Sequence, residues 1–206
     1  MKERDMPAPR SVVPPWPDDA TVIRRSWDEP DCFGAVFDAH YTEIHRYASQ
    51  RLGPHAADDI CAETFALAFR QRRRYDLSRG SARPWLYGIA TNVISRHRRD
   101  EVRLLRAVNR LRPVSESAGG HEDAVTAKVS AERLQGALAE AVAALPADQR
   151  DVLLLVALSG LSYEEAAQAL DVPFGTVSSR LNRARKKLRK ALGGTNPLLD
   201  EKDMHR

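Results

Sequence analysis

Hydrophobic side chains in the N-terminal half of the chain recur at three- and four-residue steps, the spacing of one face of an α-helix. The pattern predicts a first helix from about residue 31 to Gly53-Pro54, a second over about 55–73, and a third that starts near Pro84. Glycine followed by proline ends a helix, whereas proline is well suited to a first helical turn. We therefore expect a three-helix unit in this half.

The C-terminal half has the same periodicity. It predicts one helix before Pro146, a second from Pro146 to Gly160, and two further helices, from Tyr163 to Leu170 and from about Pro173 to Leu192. No segment of convincing length has the two-residue alternation of a β-strand. The sequence therefore predicts an all-α fold.

Three segments lack the helical pattern. Residues 1–30 hold six of the twelve prolines and predict a flexible tail, and 112–129 is rich in Pro, Ser and Gly, as is typical of a linker. We therefore expect two small helical domains, 31–111 and 130–194, joined by this flexible linker. Residues 195–206 are expected to form a C-terminal tail.

The formal net charge of +4 conceals a strong segregation of charge. From Val172 to Leu199 the chain has no Asp or Glu, while basic residues crowd one short stretch: Arg180, Arg183, Arg185, Lys186, Lys187, Arg189 and Lys190. Surface helices usually carry charges of both signs. A field of one sign indicates a partner that bears phosphates or an acidic membrane face, although a merely solvated basic helix is the simpler alternative.

Two short helices around residue 171 have the pattern of a helix-turn-helix. Ser162 and Glu165 have the spacing of a capping box, and Asp171-Val172-Pro173 forms a break before a helix that is apolar on one face and basic on another. The second helix of such a motif enters the major groove. The side chains expected to contact DNA are Thr176, Ser178, Ser179, Arg180, Arg183 and Lys187. The first four of these are expected nearest to base edges.

The segment LSYEEAAQALDVPFGTVSSRLNRARKKL, Leu161 to Leu188, resembles region four of the extracytoplasmic-function (ECF) sigma factors of the sigma-70 family. That domain reads the minus-thirty-five promoter element, so the resemblance implies this role for Thr176, Ser179, Arg180 and Arg183. Asp171 stands where the family often has glycine. Aspartate tolerates left-handed backbone at moderate cost, so the turn is expected to form.

The segment ADDICAETFALAFR, Ala57 to Arg70, resembles the region-two helix with which these factors hold the polymerase clamp. The resemblance implies that Asp58, Asp59 and Glu63 contact polymerase, with Ala62 in place of a common glutamine. For Asp58 and Asp59 an equally good interpretation is that acids in a first turn complement the helix dipole.

The segment RPWLYGIATNVISRHRR, Arg83 to Arg99, resembles the part of region two that recognises and melts the minus-ten element. Arg96 replaces an acidic residue frequent in the family. The family also places a pocket for an extruded base in the preceding turn. The resemblance implies two sets of contacts: Asn92, Arg96, Arg98 and Arg99 on the helix, and Ser78, Arg79, Gly80 and Ser81 in the turn.

These resemblances imply an initiation factor without catalysis or cofactor. The implied partners are core RNA polymerase through the β′ clamp and the β flap, double-stranded promoter DNA, the melted non-template strand, and an anti-sigma factor. A helix-turn-helix regulator that is no polymerase subunit is the first alternative. A metal-dependent nuclease using His40, His45, Cys32 or Cys61 is the second, disfavoured because the two histidines lie five positions apart and off one helical face.

The two cysteines match no compact metal or redox motif. The N-terminus lacks the unbroken apolar core of a signal peptide, and no run approaches the roughly 18 apolar residues of a membrane span. We therefore expect a cytoplasmic protein without membrane insertion.

Overall fold

The structure is a computed structural model that describes residues 18–111 and 128–193. Over these residues the chain forms eight α-helices, with short 3-10 turns at Pro30–Phe33 and Arg72–Arg74. The helices are α1 Asp19–Arg25, α2 Gly34–Leu52, α3 Pro54–Gln71, α4 Arg83–Leu111, α5 Lys128–Ala143, α6 Ala147–Ser159, α7 Tyr163–Leu170 and α8 Phe174–Ala191. No strand occurs in these two described stretches, and the all-α prediction is confirmed.

Helix α1 differs from the sequence prediction, which placed these residues in a flexible tail. The Asp18 side chain caps the helix by accepting a hydrogen bond from the Thr21 backbone at 2.9 Å, and Ile23 is fully buried. A seven-residue helix is too short to be stable alone or to show a clear period, so it depends on packing against the rest of the protein. Residues 1–17 of the predicted tail lie outside the described part of the chain.

Helices α2, α3 and α4 pack around one apolar core. Ile44, Ile60, Leu86 and Ile94 are almost completely buried in it. Gly53 joins α2 to α3 with φ at 86°, a left-handed conformation that glycine adopts readily. Residue Pro54 then starts α3, one position before the predicted start.

Helices α6, α7 and α8 form the predicted helix-turn-helix and its support. The capping box is present, because Ser162 Oγ accepts from the Glu165 backbone at 3.1 Å and Glu165 Oε2 accepts from the Ser162 backbone at 2.8 Å. Asp171 ends α7 with φ at 51°, the left-handed turn expected of it. The apolar face of α8 is buried, as predicted, through Val177, Leu181, Ala184 and Leu188.

Contacts between α4 and α7 and between α2 and α6 hold the two helical groups together. At the first contact the helices approach so closely that a Cβ built on Gly88 would lie 2.2 Å from the Ala169 carbonyl oxygen. Arg83 of α4 donates to the Ser159 carbonyl and forms an ion pair with Glu165 at 3.6 Å. Of the predicted linker, 112–127 lies outside the described residues and 128–129 begin α5. The predicted C-terminal tail also lies outside them.

Candidate nucleic-acid interface

The solvent face of α8 is densely basic. Its apolar face is buried, so the charged side chains turn outwards, and the exposed members are Arg183, Arg185, Lys186, Lys187, Arg189 and Lys190. Because the sequence has no acid between Val172 and Leu199, no carboxylate within this helix neutralises the face. Such a surface attracts the phosphates of a nucleic acid.

The start of α8 is less open than the sequence suggests. Thr176, Ser178 and Ser179 are half-buried, and Ser179 Oγ donates to the Thr176 carbonyl at 3.0 Å. Arg180 is 26% exposed and its Nε lies 3.1 Å from Asp148 Oδ2 on α6. Arg180 is therefore held back against α6, whereas Arg183 and Lys187 reach into solvent.

Asn182 is an exposed amide that the sequence reasoning missed. It lies one helical turn after Ser178 and on the same face. Asparagine can form a bidentate pair with adenine in the major groove. The four-residue step from Ser178 is the signal that could have found it.

Three of the four predicted DNA contacts on α4 share one surface. Asn92, Arg96 and Arg99 are exposed and line a shallow groove of about 330 Å³ between α3 and α4. The fourth, Arg98, is turned towards α2, where its Nη2 donates to the Arg51 carbonyl at 2.6 Å. Burial and the neighbouring guanidiniums of Arg51 and Arg150 lower the pKa of Arg98.

The turn before α4 presents Ser78, Arg79, Gly80 and Ser81 to solvent, and all four are exposed. Internal hydrogen bonds shape this turn. Asp76 Oδ1 accepts from the Ser78 backbone at 3.1 Å and from its hydroxyl at 2.7 Å. The Tyr75 hydroxyl donates to the Arg79 carbonyl at 2.5 Å.

Helix α1 also supports this turn. Asp19 Oδ2 accepts from the Ala82 backbone at 2.7 Å and lies 3.0 Å from His40 Nε2, while His40 Nδ1 lies 2.7 Å from Glu43 Oε1. Burial alone would lower the pKa of His40, but hydrogen bonds and charge from both carboxylates outweigh it and raise the pKa to about 9. This cluster could not be predicted from the sequence, because its members come from three separate elements.

The predicted polymerase-binding acids lie on α3. Asp58 and Asp59 are exposed, and Asp58 Oδ1 lies 3.2 Å from His45 Nε2. Glu63 forms an ion pair with Arg96 of α4. The structure therefore couples a predicted polymerase contact directly to a predicted DNA contact.

An open cleft of about 900 Å³ separates the exposed side of α4 from α6 and α8. Asn92, Arg98 and Arg99 line it from one side, and Asp148 and Arg180 line it from the other. Predicted DNA contacts from both halves of the protein thus face the same space.

Within the described residues no group of three His, Cys, Asp or Glu side chains is arranged to hold a metal ion, and Cys32 and Cys61 are free thiols. None of the described helices is long and apolar enough to cross a membrane.

A helix-turn-helix with a basic second helix, packed on a three-helix unit with its own arginine-lined face, defines a helical DNA-binding protein. Comparison with known families shows which kind of DNA-binding protein it is. The family described as "Sigma-70 region 2" matches residues 36–104, and "Sigma-70, region 4" matches residues 135–188.

Two curated relatives cover most of the chain. The "Probable RNA polymerase sigma-C factor" of Mycobacterium bovis is 34% identical over 156 residues, which are 73% of this chain and 78% of the relative. The ECF RNA polymerase sigma factor SigW of Bacillus subtilis is 32% identical over 174 residues, 80% of this chain and 90% of the relative. The chain belongs to the ECF sigma factors of the sigma-70 family. It is a non-enzymatic factor that directs transcription initiation by RNA polymerase.

A solved structure has a similar fold. It is the sigma factor RpoE in complex with the anti-sigma factor NepR from Bartonella quintana, with a TM-score of 0.55 and 23% identity over 79% of this chain and 98% of that one.

Proposed function

We propose that the two halves of the protein divide promoter recognition between them. Residues 130–194 would read the minus-thirty-five element through α8, and residues 31–111 would bind polymerase and open the minus-ten element. The observation that carries this proposal is the pair of separate basic faces, on α8 and on α4, each at a segment that matches a sigma-70 region.

On α8, Thr176, Ser178 and Ser179 lie near the helix start, where a recognition helix meets base edges. Arg183 and Lys187 are exposed further along and would contact phosphates. Arg180 joins the base-reading group once it leaves Asp148. The Arg180 guanidinium would then exchange the Asp148 carboxylate for an acceptor on DNA, so it has a hydrogen-bond partner both before and after binding.

On the N-terminal half, Asn92, Arg96 and Arg99 would hold the minus-ten DNA, and Arg98 would join them once it leaves the Arg51 carbonyl. The turn Ser78 to Ser81 would capture an extruded base. Each duplex step lost costs about 1.4 kcal/mol, so captured bases must be stabilised by protein contacts. Exposed hydroxyls and backbone in the turn supply hydrogen-bonding groups for that purpose.

The two elements lie about 25 base pairs apart, or about 85 Å at roughly 3.4 Å per base pair. Asn92 and Arg180 line one cleft, which is far too small for that span. Both elements can therefore be bound at once only if α4 and α7 separate. Core polymerase would cause this separation by binding Asp58, Asp59 and Glu63 through the β′ clamp and the C-terminal half through the β flap. The similar fold of a sigma factor solved in complex with an anti-sigma factor supports an anti-sigma partner for the compact form. The protein would act in the cytoplasm.

The test is run-off transcription with core polymerase on genomic fragments, followed by mapping of start sites. We expect starts that share two upstream sequence elements. Arg183→Ala with Lys187→Ala should reduce promoter binding and make it less salt-dependent, by about one unit of the log–log slope per charge. Arg24→Ala is the matched control, because Arg24 is an exposed arginine of α1 that pairs locally with Asp28.

Refolded, monodisperse protein that binds DNA but directs no start would favour the helix-turn-helix regulator over the sigma factor. Start sites without a common minus-thirty-five element would contradict the role given to α8.

A further inference from the structure

Phe174 is a large aromatic side chain exposed to solvent at the first position of α8. It is 50% exposed, more than Phe37 at 39% or Val102 at 45%, the other large hydrophobic side chains that are exposed in the described part of the chain. The four apolar residues that anchor α8 are each almost completely buried. Phe174 therefore contributes little to the core that holds this helix in place.

The ring has a defined position. It packs against Tyr163, the first residue of α7, with ring centroids 6.1 Å apart and planes inclined by 42°. One side of the ring is thereby supported, and the other side faces solvent. Gly175, its neighbour, has no side chain and open space around it, so nothing there shields the ring.

Phe174 also lies on the face of α8 that we assign to DNA. It precedes Ser178 by one turn and Asn182 by two, and residues four apart lie above one another on a helix. Helical side chains lean towards the N-terminus, and the N-terminal residues of a recognition helix are those nearest to base edges. The supported ring thus projects at the end of α8 that enters the groove first.

We propose that Phe174 is a specificity-determining residue that packs against the 5-methyl group of a thymine in the upstream promoter element. This inference rests on the function proposed above. Thymine is the base that presents a methyl group in the major groove, and phenylalanine is among the side chains that contact it. A ring fixed by Tyr163 loses little conformational freedom on binding, so the contact is favourable without further ordering.

The test first identifies the upstream element by selecting randomised duplex DNA with the holoenzyme. Each thymine of the selected element is then replaced in turn by deoxyuridine, which differs from thymine only by lacking the methyl group. We expect one such replacement to weaken closed-complex binding by wild-type protein about fourfold, the effect of one buried methyl group. Phe174→Ala should bind the thymine and deoxyuridine forms equally, and Phe174→Leu should retain part of the difference.

Phe37→Ala is the matched control, since it removes an exposed aromatic ring from α2, away from α8. Its ratio of thymine to deoxyuridine binding should equal that of the wild type. A selected element in which no thymine methyl affects wild-type binding, or in which Phe174→Ala keeps the full methyl effect, would overturn the inference and leave the proposed function intact. Failure of the holoenzyme to select any upstream element would contradict the proposed function and the inference together.

Discussion

Arg51 of α2 donates a hydrogen bond from Nη2 to Asp151 Oδ1 of α6 at 2.7 Å, across 100 positions of the chain. The Arg51 side chain is 1% exposed and that of Asp151 is 13% exposed. Arg51 also donates to the Tyr47 hydroxyl at 2.6 Å, and that hydroxyl lies 3.0 Å from the hydroxyl of Thr91 on α4. A buried, hydrogen-bonded charge thus joins the two helical groups.

Replacing Asp151 with asparagine should destabilise the protein strongly, because it leaves the Arg51 charge buried without a counter-ion. We expect the free energy of unfolding to fall by about 3 kcal/mol. Urea denaturation at unchanged m-value measures this loss. Asp100→Asn is the control, since Asp100 pairs with Arg103 on the surface, and it should cost less than about 0.5 kcal/mol. Equal losses in the two variants would show that the Arg51–Asp151 pair is no stronger than a surface pair.

Gly88→Leu should separate α4 from α7, because even a Cβ at this position would overlap the Ala169 backbone. Backbone on a packed helix cannot move aside as a flexible side chain can. We expect a larger radius of gyration in small-angle scattering and faster proteolysis between the two halves. Gly136→Ala is the control, since the space around Gly136 in α5 is open, and it should leave the shape unchanged. A compact Gly88→Leu protein would contradict the described packing.

Stability should depend on pH through His40. Its pKa is raised to about 9, so the folded state holds a proton that the unfolded chain releases near pH 6.5. The stabilisation is complete below about pH 6.5 and is lost as the pH rises through 9, with a limiting slope of about 1.4 kcal/mol per pH unit for one proton. Denaturation midpoints of the wild type should fall over this window, and those of His40→Gln should fall much less.

The carboxylates of the same cluster act at the other end of the pH scale. Burial would raise the pKa values of Asp19 and Glu43, but hydrogen bonds with His40 and further partners lower both below the ordinary range. Their contribution is present above the unfolded-state pKa values and is lost as the pH falls through the lowered ones. If the stability of His40→Gln changed with pH in the same way as that of the wild type, at both high and low pH, this account of the cluster would be contradicted.

Loosening the turn before α4 should impair promoter melting more than closed binding. Asp19→Ala removes the acceptor for the Ala82 backbone, and substitutions at Ser78, Arg79, Gly80 or Ser81 alter the exposed surface itself. Fluorescence of 2-aminopurine in the minus-ten region measures melting, and gel retardation at low temperature measures closed binding. Equal loss of both activities would contradict the role proposed for the turn. Asp18→Ala, which removes the α1 cap but keeps the hydrogen bond from the Ala82 backbone to Asp19, is the control.

Features that depend on near neighbours were predictable from the sequence. The capping box of Ser162 and Glu165, the left-handed Asp171 and the buried face of α8 each involve residues within a few positions of one another. The acid-free stretch is likewise a property of composition along one helix. Such local signals determine the helices, the helix-turn-helix and its basic face without any tertiary contact.

Contacts between distant segments were decided by tertiary structure alone. Helix α1 is too short to show a pattern, and it forms because its apolar side chains and Asp19 find partners on other elements. Tertiary structure also pairs Glu63 with Arg96, and so connects a predicted polymerase contact with a predicted DNA contact. It likewise turns Arg98 towards α2.

By itself, then, the sequence determined an all-α protein with two DNA-facing segments, because helix periodicity, caps and charge are local properties. Tertiary structure decided how those segments are held. Arg51 meets Asp151, and Gly88 lets α4 approach α7, only because the folded chain brings together residues that lie far apart in sequence. Both contacts are buried in the interface between the two helical groups. Electrostatic interactions and close packing contribute most to stability where water is excluded.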